Sequence, residues 1–192
     1  MKFIIEHLEN ELYEWCFIEY KNISKFVGKK NLLITNVKNN NDIIKLKKFA
    51  SIISDSVLKL NLKNACLLDA KSDKSLNPKD AEKFDYFIFG GILGDFPERH
   101  RTEKYLTNKL KNVSVRNLSD KQMPTDTAVI VTKLICDGNS IDKLKFRDTL
   151  VIDIKKGKFN ETVELPFRYV VLNDQPIISK DLVNYLKKKK DI

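Results

Sequence analysis

Short apolar segments alternate with segments of helical periodicity along most of this chain, and this alternation restricts the fold more than any other feature. The predicted strands cover residues 2–5, 31–37, 65–68, 84–89 and 113–117. The predicted helices cover residues 12–27, about 43–60, about 99–110, and a segment from Thr125 to Gly138 that is apolar nearly all round. Strands that alternate with helices form a mainly parallel sheet with helices on both faces. We therefore expect an α/β fold.

The last quarter of the chain departs from this alternation. Residues 148–154, 159–164 and 167–172 are predicted strands, and residues 180–190 are a predicted final helix. We interpret this region as a small β-rich C-terminal extension. A chain of 192 residues suffices for one well-packed core. Because the sequence contains neither an internal repeat nor a linker, we expect residues 1–192 to form a single domain.

The apolar runs are too short for a membrane helix, since the longest, residues 86–93, falls well below the roughly 18 residues required. Glutamates near the N-terminus also interrupt any apolar signal core. The three cysteines, Cys16, Cys66 and Cys136, lie far apart in apolar stretches. Free buried thiols in a reducing compartment fit this pattern. We therefore expect a cytoplasmic protein that does not contact a membrane.

The net charge of +9 favours an anionic partner such as RNA. It is equally typical of a lysine-rich composition without a specific partner. The charge is unevenly spread, because residues 6–20 contain five glutamates and no lysine or arginine. Such a stretch suits a cationic peptide better than a phosphate backbone, or it forms an ordinary solvated helix face.

Ligands of parallel sheets bind beyond the carboxyl ends of the strands, where residues 67–70, 90–95 and 118–127 are predicted to lie. The middle segment contains Gly90, Gly91 and Gly94, half of the six glycines in the chain. Glycine lets a backbone approach a ligand closely. The spacing G-G-x-x-G differs from the dinucleotide fingerprint, and the G-K-[ST] ending of a P-loop is absent. The glycine spacing alone fits both a cofactor-binding loop and a glycine turn that binds no ligand.

Other chemistries find little support in the sequence. Neither of the two histidines, His7 and His100, belongs to a spacing of His, Cys and carboxylate residues that indicates a metal site, so no metal is expected. A serine-hydrolase G-x-S-x-G motif is absent. None of the cysteines stands in the polar, loop-like setting that activates a nucleophile.

Several long blocks nevertheless resemble one family. They are IIEHLE at 4–9 with EW at 14–15 and EY at 19–20, LLD at 67–69, KFDYFIFGGILGD at 83–95, R-x-R-T at 99–102, LSDKQMPTDTA at 118–128 and ELPFRYV at 164–170. The chain is similar along its whole length to the SPOUT class of methyltransferases. The subgroup includes archaeal proteins described as predicted RNA methyltransferases, and a fungal protein-arginine methyltransferase that modifies a small-subunit ribosomal protein.

The resemblance implies a deep trefoil knot in the C-terminal half and S-adenosyl-L-methionine as cofactor. It implies that Leu68 and Asp69 contact this cofactor from a covering loop, and that the glycine segment lines it through backbone groups. A third segment closes the adenine pocket. The remaining cofactor-binding residues implied in this way are Gly90, Gly91, Leu93, Gly94, Asn117, Leu118, Lys121, Gln122, Met123 and Thr125.

The resemblance indicates the methyl donor better than the acceptor. A protein arginine, in particular one on a ribosomal protein, is favoured by the subgroup and by the acidic stretch, whereas the net charge favours rRNA or tRNA. A cofactor-binding module without catalysis is a third reading. The resemblance implies dimerisation through helices beside the knot, as in most SPOUT enzymes. We nevertheless expect a monomer, because the β-rich C-terminal extension of this chain is available to cover that surface.

Carboxylates can orient the guanidinium of an arginine acceptor and accept its proton as the new bond forms. The candidate catalytic residues are Asp95, directly beyond the glycines, and Asp126, at the start of the buried helix, with Glu6 and Glu9 as further contributors. Alternatively, Asp126 only stabilises the N-terminus of a helix, and Asp95 only fixes a turn. Arg99 and Arg101 are predicted to bind the substrate, or alternatively to form salt bridges within the fold.

Overall fold

A six-stranded parallel sheet forms the centre of the structure, a computed structural model that describes residues 1–94, 97, 99–155 and 161–188. The strand order is β3-β2-β1-β5-β4-β6. The strands are β1 (Lys2–His7), β2 (Leu32–Thr35), β3 (Ser51–Ile53), β4 (Ala65–Leu68), β5 (Tyr86–Gly91) and β6 (Ser114–Arg116). The α/β fold expected from the sequence is thereby confirmed, whereas the trefoil knot stays a prediction.

The helices are α1 (Glu14–Val27), α2 (Asn40–Leu46), α3 (Pro78–Ala81), α4 (Thr125–Cys136) and α5 (Lys180–Lys188), with short helical turns at Lys29–Asn31, Val57–Lys59, Glu103–Thr107 and Ile141–Lys143. The N-terminus of α2 is capped by the side chain of Asn39, which accepts hydrogen bonds from the backbone N–H groups of Asn41 and Asp42. In the described ranges, no helix combines the length and apolar character that a membrane span requires.

The two faces of the sheet are covered unequally. Side chains of successive residues point to opposite faces of a strand, so Phe3 and Ile5 of β1 join a large core beneath α1 and α4, while Ile4 joins a smaller one. The smaller core is closed by Val57 and Leu106, which belong to short helical turns. The expected helical covering of both faces is present, but on the second face it is a thin layer.

A C-terminal antiparallel sheet confirms the predicted β-rich extension. It consists of β7 (Lys145–Lys155), β8 (Glu161–Leu172) and β9 (Gln175–Pro176). The pairing of β7 with β8 shifts at Thr149, whose φ of 66° marks a bulge. Apolar side chains of β7, β8 and α5 pack on Ile18 of α1, so the extension lies against the first helix of the chain.

The predicted helix over residues 43–60 is wrong. The helix α2 ends at Leu46, and residues 51–53 form the edge strand β3 beside β2. The consecutive Ile52 and Ile53 fit a pleated strand better than a helix because branching at Cβ restricts their rotamers. The helix predicted at residues 99–110 is likewise shorter, with its described turn at Glu103–Thr107.

Candidate active site

The carboxyl ends of neighbouring strands meet at one edge of the sheet and border a cleft. Glu6 and His7 at the end of β1 lie beside Gly90 and Gly91 at the end of β5, and Leu68 at the end of β4 lies beside Arg116 of β6. The empty space in the cleft, counted out to open solvent, is about 880 Å³.

All three segments expected from the sequence contribute to this cleft. The predicted cofactor residues that line it are Leu68, Asp69, Gly90, Gly94, Leu118, Lys121, Gln122, Met123 and Thr125. The predicted substrate residues Arg99 and Arg101 also line it. The remaining predicted cofactor residues, Gly91, Leu93 and Asn117, are not among the lining residues. One predicted catalytic residue, Asp95, lies outside the described residues.

The two adjacent glycines of β5 face different surroundings. A Cβ atom on Gly90 would meet Ile92 Cδ1 and Thr102 Oγ1, both at 3.0 Å, beside the cleft. A Cβ atom on Gly91 would lie 2.3 Å from Tyr20 Oη and 2.7 Å from Ile5 Cγ2, two fully buried residues. Gly90 therefore keeps part of the cleft open, whereas Gly91 lets α1 pack closely on the sheet.

Asn117 fixes the loop that follows β4. Its Nδ2 donates a hydrogen bond of 2.6 Å to the backbone carbonyl of Ser72, and its Oδ1 accepts one of 2.8 Å from the Ser75 hydroxyl. In the same loop, Asp69 accepts hydrogen bonds from the Lys71 backbone N–H and the Thr107 hydroxyl. These contacts indicate that Asn117 shapes the cleft from behind.

The C-terminal sheet closes the other side of the cleft. Phe167 of β8 packs so closely on Gly94 that a Cβ atom there would lie 2.5 Å from the ring. The backbone N–H of Arg168 donates to the carbonyl of Gln122 at 2.9 Å. Asp148 of β7 pairs with Arg168 and with Lys121, and these two cations hold the pKa of the Asp148 carboxyl far below its usual value.

The two glutamates predicted at the end of the first strand are engaged within the fold. Glu6 is buried, and its carboxylate accepts hydrogen bonds from Thr35 Oγ1, Ser56 Oγ and the Val57 backbone N–H. Glu9 Oε1 accepts from the Leu93 backbone N–H and from Arg101 Nη1, both at 2.9 Å. Glu6 thus joins β1 to the chain after β3, and Glu9 holds the segment after β5.

Asp126 lies at the first turn of α4, buried behind the cleft wall. Its carboxylate accepts a hydrogen bond of 2.8 Å from Asn22 Nδ2 and one of 2.7 Å from the Thr127 backbone N–H. Burial raises the pKa of Asp126 to about 6. A second buried carboxylate, Glu19, accepts from Trp15 Nε1 at 3.1 Å. Burial, followed by the charge of Asp126, raises the pKa of Glu19 well above its usual value.

Sequence reasoning missed part of the cleft wall and the role of Glu19. Some of the missed lining residues are neighbours of predicted ones in the sequence. A prediction of whole loop segments, instead of selected positions, would have included them. The missed lining residues are Ala70, Phe89, Ile92, His100, Thr102, Ser119, Pro124 and Ala128. The inward orientation of Glu19 is indicated only weakly by the sequence. Glu19 lies four residues after Trp15 and therefore on the same face of the helix.

Comparisons with known proteins agree with this geometry. Residues 2–192 match the family described as "SFM1-like: Protein arginine N-methyltransferase SFM1-like". The chain is 38% identical over 206 residues to the protein arginine N-methyltransferase SFM1 of Saccharomyces cerevisiae, with 98% of this chain and 95% of the yeast protein covered. This chain belongs to the SFM1-like family. The resemblance noted in the sequence is therefore confirmed.

Solved structures of the SFM1-like family extend the likeness to the fold. The yeast SFM1 complex with SAM has a TM-score of 0.88 and 37% identity, covering 97% of this chain and 90% of that one. The yeast complex with SAH has a TM-score of 0.86, also at 37% identity, with 97% and 94% covered. Trm10 of Thermococcus kodakaraensis shares the fold at a TM-score of 0.55 and 19% identity, with 74% and 96% covered.

Proposed function

We propose that this chain is an S-adenosylmethionine-dependent methyltransferase that modifies an arginine side chain of a ribosomal protein. The observation that supports the activity most directly is the match to the SFM1-like family over residues 2–192. The yeast relative is named as an arginine methyltransferase and has been solved with SAM and with SAH. The names of these relatives do not identify the protein that carries the arginine. We infer a ribosomal protein from the subgroup that the sequence resembles.

The lining of the cleft fits this cofactor. Gly90 provides space that even a methyl group would fill, since Ile92 and Thr102 already stand 3.0 Å from its Cβ position. Leu68, Leu118 and Met123 offer apolar surface on which an adenine ring can pack. Backbone groups of residues 118–124 supply hydrogen-bond donors and acceptors. We propose that these segments hold the nucleoside and that residues 90–94 pass beside its methionine part.

The chain's own residues then have two tasks, to hold the acceptor and to take up a proton. Bound S-adenosylmethionine supplies an electrophilic methyl group on its sulfonium, so in-line positioning is the main requirement. An arginine guanidinium is protonated at neutral pH, with a pKa above about 12, and must lose a proton as its nitrogen forms the new bond. Asp126 is our first candidate for orienting the guanidinium, because it directly follows the cleft-lining residue Thr125 and, unlike Glu9, forms no ion pair with a described residue.

The test is transfer of tritium from labelled S-adenosylmethionine to separated ribosomal proteins and, in parallel, to rRNA and tRNA. We expect label in one ribosomal protein, recovered as methylarginine after acid hydrolysis. Label in RNA alone would contradict the proposed acceptor. Binding of S-adenosylmethionine without transfer to any fraction would indicate a cofactor-binding module.

We further propose that residues 1–192 act as one domain and as a monomer in the cytoplasm. Packing of β7, β8 and α5 against Ile18 of α1 supports the monomer, because this contact covers a helix surface within one chain. Two of the three free cysteines are buried, which suits a reducing compartment. Light scattering on the purified protein is expected to give a mass near 22.3 kDa, and twice that mass would contradict the monomer.

A further inference from the structure

A buried stripe of polar side chains lies where α1 packs against the start of α4. Trp15, Glu19 and Asn22 occupy one face of α1 at spacings of four and three residues. Trp15 Nε1 donates to Glu19, and Asn22 Nδ2 donates to Asp126. Glu19 and Asp126 are only 5% and 4% exposed. Two carboxylates therefore lie close together in the protein interior.

The described part of the chain places no cation against these carboxylates. Among residues 1–94, 97, 99–155 and 161–188, no lysine, arginine or histidine forms an ion pair with Glu19 or Asp126. A buried charge is normally paired, since its removal from water is unfavourable. Among the described residues, Trp15 Nε1 donates a hydrogen bond to Glu19, and the side chain of Thr125 also favours the charged form of Glu19. In the free protein, protonation and hydrogen bonds from neutral donors therefore stabilise the two buried carboxyl groups.

A third group faces this pair without a partner. The hydroxyl of Tyr169 in β8 belongs to a residue that is 1% exposed, and it makes no hydrogen bond with the described part of the chain. Tyr169 packs in the same cluster as Ile18 and Trp15 of α1, which flank Glu19 on the helix. After burial, the charges of Asp126 and Glu19 also raise the pKa of this phenol. A buried hydroxyl without a hydrogen-bond partner is destabilising, and a ligand that bonds to it would remove that cost.

The stripe borders the cofactor cleft. Thr125 lines the cleft, and its hydroxyl lies 3.4 Å from the carbonyl oxygen of Gly90 while also stabilising the charged form of Glu19. Ala128, one turn along α4, lines the cleft as well. The carboxylate pair therefore lies next to the wall of the cleft in which the cofactor is proposed to bind.

We propose that Glu19, Asp126 and Tyr169 receive the guanidinium of the acceptor arginine beside the cofactor cleft. The proposal rests on the proposed function and names the residues that recognise its substrate. A guanidinium has five donors and one positive charge, which match two carboxylates and a phenol oxygen. Entry requires Trp15, the partly exposed member of the stripe, to release Glu19 and turn aside.

The sharpest variant is Tyr169→Phe, because it removes one oxygen that has no partner in the described structure. We expect unchanged or slightly higher thermal stability, unchanged affinity for SAH, and a KM for the labelled ribosomal protein that rises about 10-fold, as expected for loss of a hydrogen bond to a charged group. A KM equal to that of the wild type would overturn the proposal.

Glu19→Gln tests the charge. It should lower kcat/KM for the protein acceptor at least about 30-fold and leave SAH binding intact. The matched control is Glu14→Gln at an exposed position of the same helix, which makes the same chemical replacement away from the stripe and should behave as wild type. A purely structural role would instead change the Tm and SAH affinity together with activity, and that result would also refute the proposal.

The wild type separates failure of this inference from failure of the proposed function. If the wild type methylates no arginine, the proposed function is wrong. If it does and both variants match it, only the guanidinium pocket is wrong.

Discussion

The two adjacent glycines of β5 allow a direct test of where the core ends and the cleft begins. In Gly91→Ala, the new Cβ would lie 2.3 Å from Tyr20 Oη, 2.7 Å from Ile5 Cγ2 and 3.0 Å from the Glu6 carbonyl oxygen. Tyr20 cannot withdraw freely, because its hydroxyl is bonded to His7 Nδ1 at 2.9 Å and the residue is fully buried.

The expected cost follows from these contacts. Forcing one carbon into a packed core costs about 1–3 kcal/mol, and weakening the buried His7–Tyr20 hydrogen bond adds about 1 kcal/mol. Replacing glycine recovers about 0.5–1 kcal/mol of chain entropy. The net destabilisation of Gly91→Ala is about 2 kcal/mol, which lowers the Tm by about 4–8 °C for a chain of this size.

Gly90→Ala is the matched control, with the same gain in chain entropy. Its Cβ would be 3.0 Å from Ile92 Cδ1 and Thr102 Oγ1, the ends of two side chains that border the cleft. We expect a Tm within about 2 °C of wild type and an SAH affinity reduced about 10-fold, because the methyl group occupies space proposed for the cofactor.

Thermal unfolding and calorimetric titration with SAH distinguish the two variants. An unchanged Tm in Gly91→Ala would refute the close packing of α1 on β5. Normal SAH binding by Gly90→Ala would refute the placement of the cofactor.

Three further perturbations address the carboxylates and the loop behind the cleft. Burial raises the pKa of Asp126 to about 6, so its contribution to stability is present below pH 4 and is lost as the pH rises through about 6. Between pH 4 and 7, the free energy of urea unfolding of Asp126→Asn should therefore rise on the order of 2 kcal/mol relative to that of the wild type. A difference that stays constant with pH would contradict the raised pKa. Asn117→Ala removes the hydrogen bonds to Ser72 and Ser75, so stability should fall by about 1–2 kcal/mol with weaker SAH binding, whereas normal affinity would show that the loop does not shape the cleft. Glu9→Ala frees the Leu93 backbone N–H and should raise the Kd for SAH about 10-fold, measured by calorimetry; no change would mean that this segment is held by other contacts.

The predictions that held are those that depend on local pattern. The strands over residues 65–68 and 84–89 were evident because short apolar runs end at Asp69 and Gly90. The same reasoning failed at residues 43–60, where the pairing of β3 with β2 overrides the helical pattern. Pairing partners far apart along the chain decide an edge strand, and no local window contains them.

The sequence by itself determined the α/β alternation and the three strand-end segments that border the cleft, since periodicity and glycine placement are properties of neighbouring residues. It also carried the blocks that identify the SFM1-like family. Only the tertiary structure decided which glycine faces the cleft and which faces Tyr20, and that Glu19 turns inward toward Asp126, 107 positions further along the chain by residue number. Burial and close approach depend on contacts between distant segments, and these contacts set the pKa values and the space on which the proposed chemistry depends.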